Sequence, residues 1–363
     1  MSEKLRVGVD CRVLSRAGNE TGLSLEYILS ELAQTDTGCE FFLFSNNDFQ
    51  FPPGSPDFHR VPYPGIRGLP GSAWLHLVLP GLLRKHKIDV FWGFDNVTPL
   101  NTRTPSVLTI HYLTNRLFFS ASLRRCTALV TVSAHTMQRV LEAFPFTADK
   151  TRKVVNMADA LSKTMPGDRE EVLQRLGVSE PFILTMGSFE PGNNLPALIR
   201  AFACTDNRDH LLVITGESAW KTKALEKLRA DVPPEAFSRV RMLRGVSKSD
   251  LKRLYMQAAL FVLPSRFEDL GTSVVEAMKC GTPVLSPGTA SLPEVGGDAV
   301  VCFDPEKQYD LLKKLDSLLR SPAELKRMGR AGQAWAARFT WRNTAEQLLQ
   351  VLKEAAASER PGF

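Results

Sequence analysis

The sequence predicts an α/β protein built from two doubly wound, Rossmann-like domains. Short apolar runs suited to buried strands recur along the chain, and each is followed by a stretch with helical apolar spacing, the alternation that builds a parallel sheet. That alternation is interrupted at 161–180, where Pro166, Gly167 and many polar residues read as a linker with a short helix. A chain of 363 residues suits two domains that each bury a core. The domains read as 1–160 and 181–340, with a last helix in 341–363.

The elements follow in order. Residues 5–10 (LRVGVD) alternate as an opening strand. A loop from Cys11 to Thr21 leads through Gly22 into a helix with Leu23, Tyr27, Ile28 and Leu32 on one face. A glycine at a first strand-to-helix passage can admit a ligand to the backbone or simply make a tight turn; both readings stand. Residues 40–44 (EFFLF) form the next strand. Trp74 to Lys87 reads as an amphipathic helix, interrupted near Pro80 and Gly81, that ends in a cationic cluster. It suits packing on a sheet with its cations at a helix C-terminus, and it also suits an anionic membrane surface.

Strands follow at 89–92, 105–110 and 128–132, then a helix opened by Ser133 as N-cap, and residues 154–156 close the first domain. His111 comes directly after the second of these strands, where open parallel sheets bind ligands, and the near-neutral pKa of histidine is useful beside phosphate. The second domain opens with the strand 182–186, the turn Gly187 to Asn194, and a helix from Leu195 to Ala203. The strand 211–215, a helix around 219–231 and the strand 240–243 come next. A turn Gly245-Val246-Ser247 then caps the helix 248–257. Helices at 322–339 and from Thr340 onward complete the chain.

The most informative stretch is 261–305, FVLPSRFEDLGTSVVEAMKCGTPVLSPGTASLPEVGGDAVVCFDP. A short strand, a loop and a helix place Glu268 and Glu276 eight residues apart around Gly271, Thr272 and Ser273. The N-terminus of such a helix offers unpaired N–H groups and about half a positive charge, enough to hold a phosphate. Carboxylates on either side can accept hydroxyl hydrogen bonds, which suits a sugar nucleotide. Ser273 and Glu276 also fit a capping box, a purely structural role.

Composition limits the alternatives. Apolar residues make up 44% and charged residues 23%, as in soluble globular proteins, and no run is long enough to span a bilayer. With no signal peptide visible, a cytoplasmic location is expected. The six cysteines are scattered without a C-x-x-C pair, and no Asp-x-Asp pair occurs, so neither a disulfide framework, a zinc site nor a catalytic metal is expected. Residues 60–125 hold nine Lys and Arg against Asp89 and Asp95, so this region carries +7 while the whole chain carries +6. Such a region attracts anionic partners. No nucleic-acid-binding signature accompanies it.

The acid pair E-x7-E, followed by E-A-M-x-C-G-T-P-V and S-L-P-E-V-x-G-D-A, resembles the family 4 retaining glycosyltransferases of the GT-B fold. The resemblance is strong over 182–345 and looser before 160. It implies that Glu268 contacts the donor sugar, Glu276 the nucleotide ribose, and the turn Gly271-Thr272-Ser273 the diphosphate. It further implies a phosphate loop at Gly187 and Ser188, a base contact near Val246, His111 in the donor cleft, Gly22 on the acceptor side, and a last helix that returns to the first domain.

Five positions in three places depart from the family pattern. Ser24 and Leu25 replace a glycine and an arginine on the acceptor side, and Tyr112 replaces an Asp after His111. Gly192 and Asn193 stand where the family has Arg and Lys, two cations that pair with the diphosphate. Arg266, Lys248 or Lys279 could replace them. The implied function is metal-free, retaining transfer of a sugar from a nucleoside diphosphate donor to a glycan or lipid-linked glycan in polysaccharide or O-antigen lipopolysaccharide synthesis, with GDP-mannose or a related hexose as the guessed donor. The implied mechanism is front-side attack with no cofactor. The alternative is a non-catalytic GT-B partner of a glycan-assembly complex.

Overall fold

The computed structural model describes residues 4–15, 20–51, 55–61, 70–114, 118–153, 167–216, 223–266, 268 and 270–358. The chain forms two units, one of residues 1–156 with 340–363 and the other of residues 157–339.

The first unit is a seven-stranded parallel sheet: β1 (Leu5–Asp10), β2 (Cys39–Phe44), β3 (Phe58–Val61), β4 (Val90–Gly93), β5 (Ser106–Ile110), β6 (Ala128–Thr131) and β7 (Thr151–Lys153). Their spatial order is β3-β2-β1-β4-β5-β6-β7. The winding reverses between β1 and β4, which pair through Val7 with Val90 and Val9 with Trp92. The central strands β4 and β5 are buried throughout, as expected for a sheet covered on both faces. The expected end of the first domain at 154–156 and part of the loop 11–21 lie outside the described residues.

On one face lies the helix Glu20–Ala33, which buries Leu25, Ile28, Leu29 and Leu32. The face expected from periodicity is therefore rotated: Leu23 and Tyr27 flank it, and Tyr27 stacks on Trp341 at 5.3 Å. Trp341 opens the last helix, Trp341–Ala357, whose Leu348, Val351 and Leu352 join the same core. On the other face, the cationic helix proves to be three pieces. The helix Gly71–Ala73, a π-turn Trp74–Val78 and the helix Leu79–Lys85 run on from one another. Pro80 lacks an N–H, and the chain absorbs that defect in the wider turn before it, where the Leu79 N–H reaches the Trp74 carbonyl. Trp74, Leu75, Leu79 and Leu83 pack on Phe44 and Phe91, so the apolar face of this segment is spent on the core.

The second unit is a six-stranded parallel sheet of β8 (Phe182–Met186), β9 (Leu211–Gly216), β10 (Val240–Arg244), β11 (Leu260–Val262), β12 (Val284–Pro287) and β13 (Val301–Phe303), in the order β10-β9-β8-β11-β12-β13. Here the winding reverses between β8 and β11. Within 161–180 the helix Arg169–Leu176 is capped by Asp168 and belongs to this unit, with Arg175 paired to Asp250 at 2.7 Å. Ser133, Ser247 and Thr340 cap their helices by accepting from the N–H three residues on.

Candidate active site

In a doubly wound sheet, ligands bind beyond the strand C-termini at the point where the winding reverses, because the loops there diverge and leave a crevice. In the second unit that point lies between β8 and β11, and the residues following these two strands are the ones the sequence singles out. Gly187 follows β8 with φ +146, a conformation that disfavours side chains, and its N–H donates to the Thr215 carbonyl at 2.9 Å. Ser188 Oγ accepts from Asn193 Nδ2 at 2.8 Å, which folds the loop on itself. The loop after β11 is joined to it by the Arg266 N–H, which donates to the Gly192 carbonyl at 2.9 Å. The Arg266 guanidinium is about half exposed and 3.9 Å from Glu306. It is thus carried next to the position that lacks the family cation.

Gly271, with φ +66, is the N-cap of the helix Thr272–Lys279, and no described side chain caps that end. A Cβ on Gly271 would lie 3.0 Å from Leu292 Cδ2. Its N–H donates to Glu268 Oε1 at 3.3 Å, and Ser291 Oγ donates to the Glu268 carbonyl at 3.3 Å. The capping box expected of Ser273 and Glu276 is corrected here, because Ser273 already lies within the helix and the cap is glycine. The first N–H groups of the helix are left for an anion. Lys279 closes the far end of this helix, about 10 Å away at 1.5 Å per residue, so it does not serve that anion site. Val246 is half-buried in the turn after β10, between Gly245 (φ +60) and the capping Ser247, and Lys248 begins the helix there.

Glu276 is 7% exposed, and its Oε2 accepts from the Tyr255 hydroxyl at 3.2 Å. That hydroxyl also lies 2.8 Å from Met186 Sδ at the end of β8. Burial and the Glu276 charge push the Tyr255 pKa well above its ordinary value, so the phenol stays a donor and fixes the carboxylate. Tyr255 was missed in the sequence because only the fold carries its hydroxyl from residue 255 to residue 276.

The first unit has a second polar cluster at its own reversal, between β1 and β4. Arg12 Nε donates to Asp10 Oδ1 at 2.8 Å and a terminal nitrogen to Oδ2 at 2.6 Å, with both side chains buried. Its other terminal nitrogen donates to the Gly71 carbonyl at 3.1 Å. Burial works against the guanidinium charge, yet Asp10 and then Asp95 hold its pKa above normal. Asn96, just past β4, adopts φ +58 and accepts from the His111 N–H at 3.0 Å. Its buried Nδ2 has no partner among the described residues. The strand-end reasoning that selected His111 applies equally to Asp10, Asp95 and Asn96, and would have found them.

His111 itself is 5% exposed. Its Nε2 lies 3.0 Å from the Phe94 carbonyl and so carries the proton, and its ring meets Phe94 edge-on. Burial lowers its pKa to about 4, only partly countered by the Phe94 hydrogen bond. The expectation of a near-neutral histidine is therefore corrected: His111 is a neutral imidazole whose remaining nitrogen, Nδ1, is an acceptor. Gly22 lies in the first turn of its helix, not ahead of it, and a Cβ there would come within 2.8 Å of the Val13 carbonyl.

Two family models match the chain, "Glycosyltransferase Family 4" over residues 23–160 and "Glycosyl transferases group 1" over 168–335. The chain belongs to the family 4 glycosyltransferases. Among relatives, it is 29% identical over 238 residues to O-antigen chain mannosyltransferase B of Escherichia coli, a match covering 64% of this chain and 62% of that protein. It is 27% identical over 266 residues to the serotype-specific mannosyltransferase WbdA of Escherichia coli, covering 66% of this chain but 31% of that protein. Solved structures share the fold. A glycosyltransferase from Rickettsia africae has a TM-score of 0.75 at 15% identity over 99% of this chain and 100% of that one. The Anabaena protein HepE, solved with UDP and glucose, has a TM-score of 0.72 at 18% identity over 96% and 100%. The fold of this family member is GT-B.

Proposed function

We propose that this chain is a retaining, metal-independent hexosyltransferase that moves a sugar from a nucleoside diphosphate donor to a hydroxyl of a glycan or lipid-linked glycan. The observation that carries the proposal is the β8/β11 crevice. There an uncapped helix N-terminus, a glycine phosphate loop and two carboxylates gather on one sheet edge. Glu268 orients the donor sugar, and Glu276, held by Tyr255, accepts from the ribose. The amides of Thr272 and Ser273 hold the diphosphate and stabilise it as it leaves. Gly187 and Ser188 approach the same diphosphate, Val246 lies on the base side, and Arg266 supplies the cation that Gly192 and Asn193 do not. His111 accepts a sugar hydroxyl through Nδ1 near the reacting carbon, and the leaving phosphate takes the acceptor proton.

The names of the relatives support a mannosyl donor and a place in O-antigen or lipopolysaccharide assembly. The UDP and glucose bound by HepE support a nucleotide-sugar donor more generally. No helix of the described residues is long and apolar enough to cross a membrane, and a lipid-linked acceptor would be met from the cytoplasmic face by peripheral contact with anionic lipid. The missing loop cations favour a second reading, a GT-B partner that binds glycan without catalysis.

Calorimetric titration with GDP, UDP and ADP and their sugar conjugates, with and without magnesium, decides between the two. The enzyme binds one nucleotide family at micromolar strength without metal. Glu268→Gln and Glu276→Gln then each lower transfer by about 100-fold or more, equivalent to about 2.7 kcal/mol, with melting unchanged. No nucleotide binding by the folded protein would transfer the assignment to the non-catalytic partner.

A further inference from the structure

Where the β4–β5 ladder runs out, side chains take over the pairing. The backbone register of the two strands ends with Gly93 beside Leu108. Around and beyond that point, residues 92, 94 and 96 each reach across to β5 or to the residue that follows it. Trp92 Nε1 donates to Thr109 Oγ1 at 2.9 Å, the Phe94 carbonyl accepts from His111 Nε2 at 3.0 Å, and Asn96 Oδ1 accepts from the His111 N–H at 3.0 Å. The Phe94 ring meets the imidazole edge-on at 4.8 Å and is itself met edge-on by Trp92 at 5.1 Å. Residues 92–96 thus fix the backbone, the tautomer and the ring plane of a single histidine.

Packing alone does not require this. An apolar side chain would fill the His111 site without stripping water from an imidazole. Asn96 is wholly buried in a left-handed conformation, φ +58, which glycine and aspartate also tolerate. Glycine would remove the bond to His111. Aspartate would keep it with no N–H left over, whereas Asn96 buries an Nδ2 without a partner, an arrangement that costs stability. The difference that remains between the two residues is charge. At this sheet edge Asp10 and Asp95 already share one buried guanidinium, Arg12. Burial and the Phe94 bond set the His111 pKa, and no charged side chain among the described residues contributes to it. A carboxylate at position 96 would bring such a charge against His111 and draw a proton onto Nδ1, turning that acceptor into a donor.

We infer that Asn96 is a positioning residue: through Oδ1 it holds His111 at the strand end, and by carrying no charge it leaves Nδ1 as an acceptor for a sugar hydroxyl. The inference rests on the proposed transferase and adds to it a residue that acts through His111 without touching substrate.

The test reads the full chain in two ways. With isotope-labelled histidine, NMR titration follows the His111 ring, identified by the signal lost in His111→Gln. The wild-type ring should stay neutral down to about pH 5, since its pKa is about 4. Asn96→Asp should bring the midpoint to about 5–6, because an opposite charge within about 4–6 Å shifts a pKa by about 1–3. Calorimetry then compares GDP-mannose with GDP and UDP-glucose with UDP. Asn96→Gly releases His111 without straining the left-handed position, so it should fold. It should weaken the sugar nucleotide by about 5-fold or more and leave the nucleoside diphosphate within about 2-fold. Asn96→Asp should lose sugar nucleotide affinity as the pH falls through its new midpoint, where the wild type does not. A His111 that titrates alike in wild type and Asn96→Asp overturns the inference. So does an Asn96→Gly that weakens both ligands equally or neither. If the wild type binds no sugar nucleotide, the transferase reading fails and the sugar contact with it, while the NMR titration separately decides whether Asn96 governs His111.

Discussion

Restoring a cation at Gly192 tests directly whether the loop after β8 lies against the donor diphosphate. Gly192 is exposed, a Cβ built on it meets nothing within 4 Å, and its backbone is in the 3-10 turn Pro191–Asn193. An arginine there causes no clash, and the bond from the Arg266 N–H to the Gly192 carbonyl survives because it is purely backbone. Replacing an unstrained glycine also removes freedom from the unfolded chain, which adds stability of about 0.4–1 kcal/mol. A charge-assisted hydrogen bond to phosphate contributes about 1.5–3 kcal/mol, and solvent screening at this exposed site holds the gain to the lower end. At about 1.4 kcal/mol per decade, Gly192→Arg should tighten nucleoside diphosphate binding by about 10-fold. Gly192→Gln, similar in length without charge, should leave it within about 2-fold, and added salt should shrink the difference. The assay is calorimetric titration with the nucleoside diphosphate the wild type prefers. Equal affinities for the Arg and Gln variants would refute the placement of this loop beside the diphosphate.

Two further outcomes follow from the buried groups. The His111 pKa of about 4 lies below its unfolded value of about 6.5, so the unfolded chain binds the extra proton first. Its contribution is full above pH 6.5 and is lost as pH falls toward 4, by at most about 3 kcal/mol. Urea titrations of the first unit at several pH values should therefore give a shallower acid slope in His111→Gln, and parallel slopes would disprove the assignment. Tyr255→Phe removes a donor from the buried Glu276 carboxylate and should cost about 1–3 kcal/mol in stability. Nucleotide affinity should fall with it, and unchanged titration and melting curves would show that Tyr255 does not position Glu276.

The parts of the fold legible in sequence are those fixed by neighbours along the chain. Strands buried on both faces announce themselves as apolar runs, and Ser133 and Ser247 are read as caps because a cap and its partner are three residues apart. Glu268 and Glu276 are legible for the same reason, since one turn and one helix set their spacing. Effects that require the folded neighbourhood were not legible. Gly271 rather than Ser273 caps its helix, in a left-handed conformation packed against Leu292. The helix Glu20–Ala33 starts earlier than its periodicity suggests because Gly22 lets it rest on the Val13 carbonyl. The pKa of His111 is set by burial beside Phe94, and the Asp10–Arg12 pair is completed by the carbonyl of Gly71, far along the chain. Arg266 gains its candidate role only because its backbone is bonded to Gly192.

The helix Trp341–Ala357 supplies Ala345, Leu348, Val351, Leu352 and Ala355 to the core of the first unit, although residues 157–339 of the second unit intervene. During synthesis, the seven strands of the first unit therefore emerge without the helix that covers one of their faces. At about 5–20 residues per second, making residues 154–357 takes about 10–40 s. The second unit, whose chain is continuous, can reach its native state on the ribosome before the first, which was translated earlier. Meanwhile the nascent first unit leaves Leu25, Trp92, Val107 and Val130 short of their cover, and that transient apolar face is where a chaperone would be needed most.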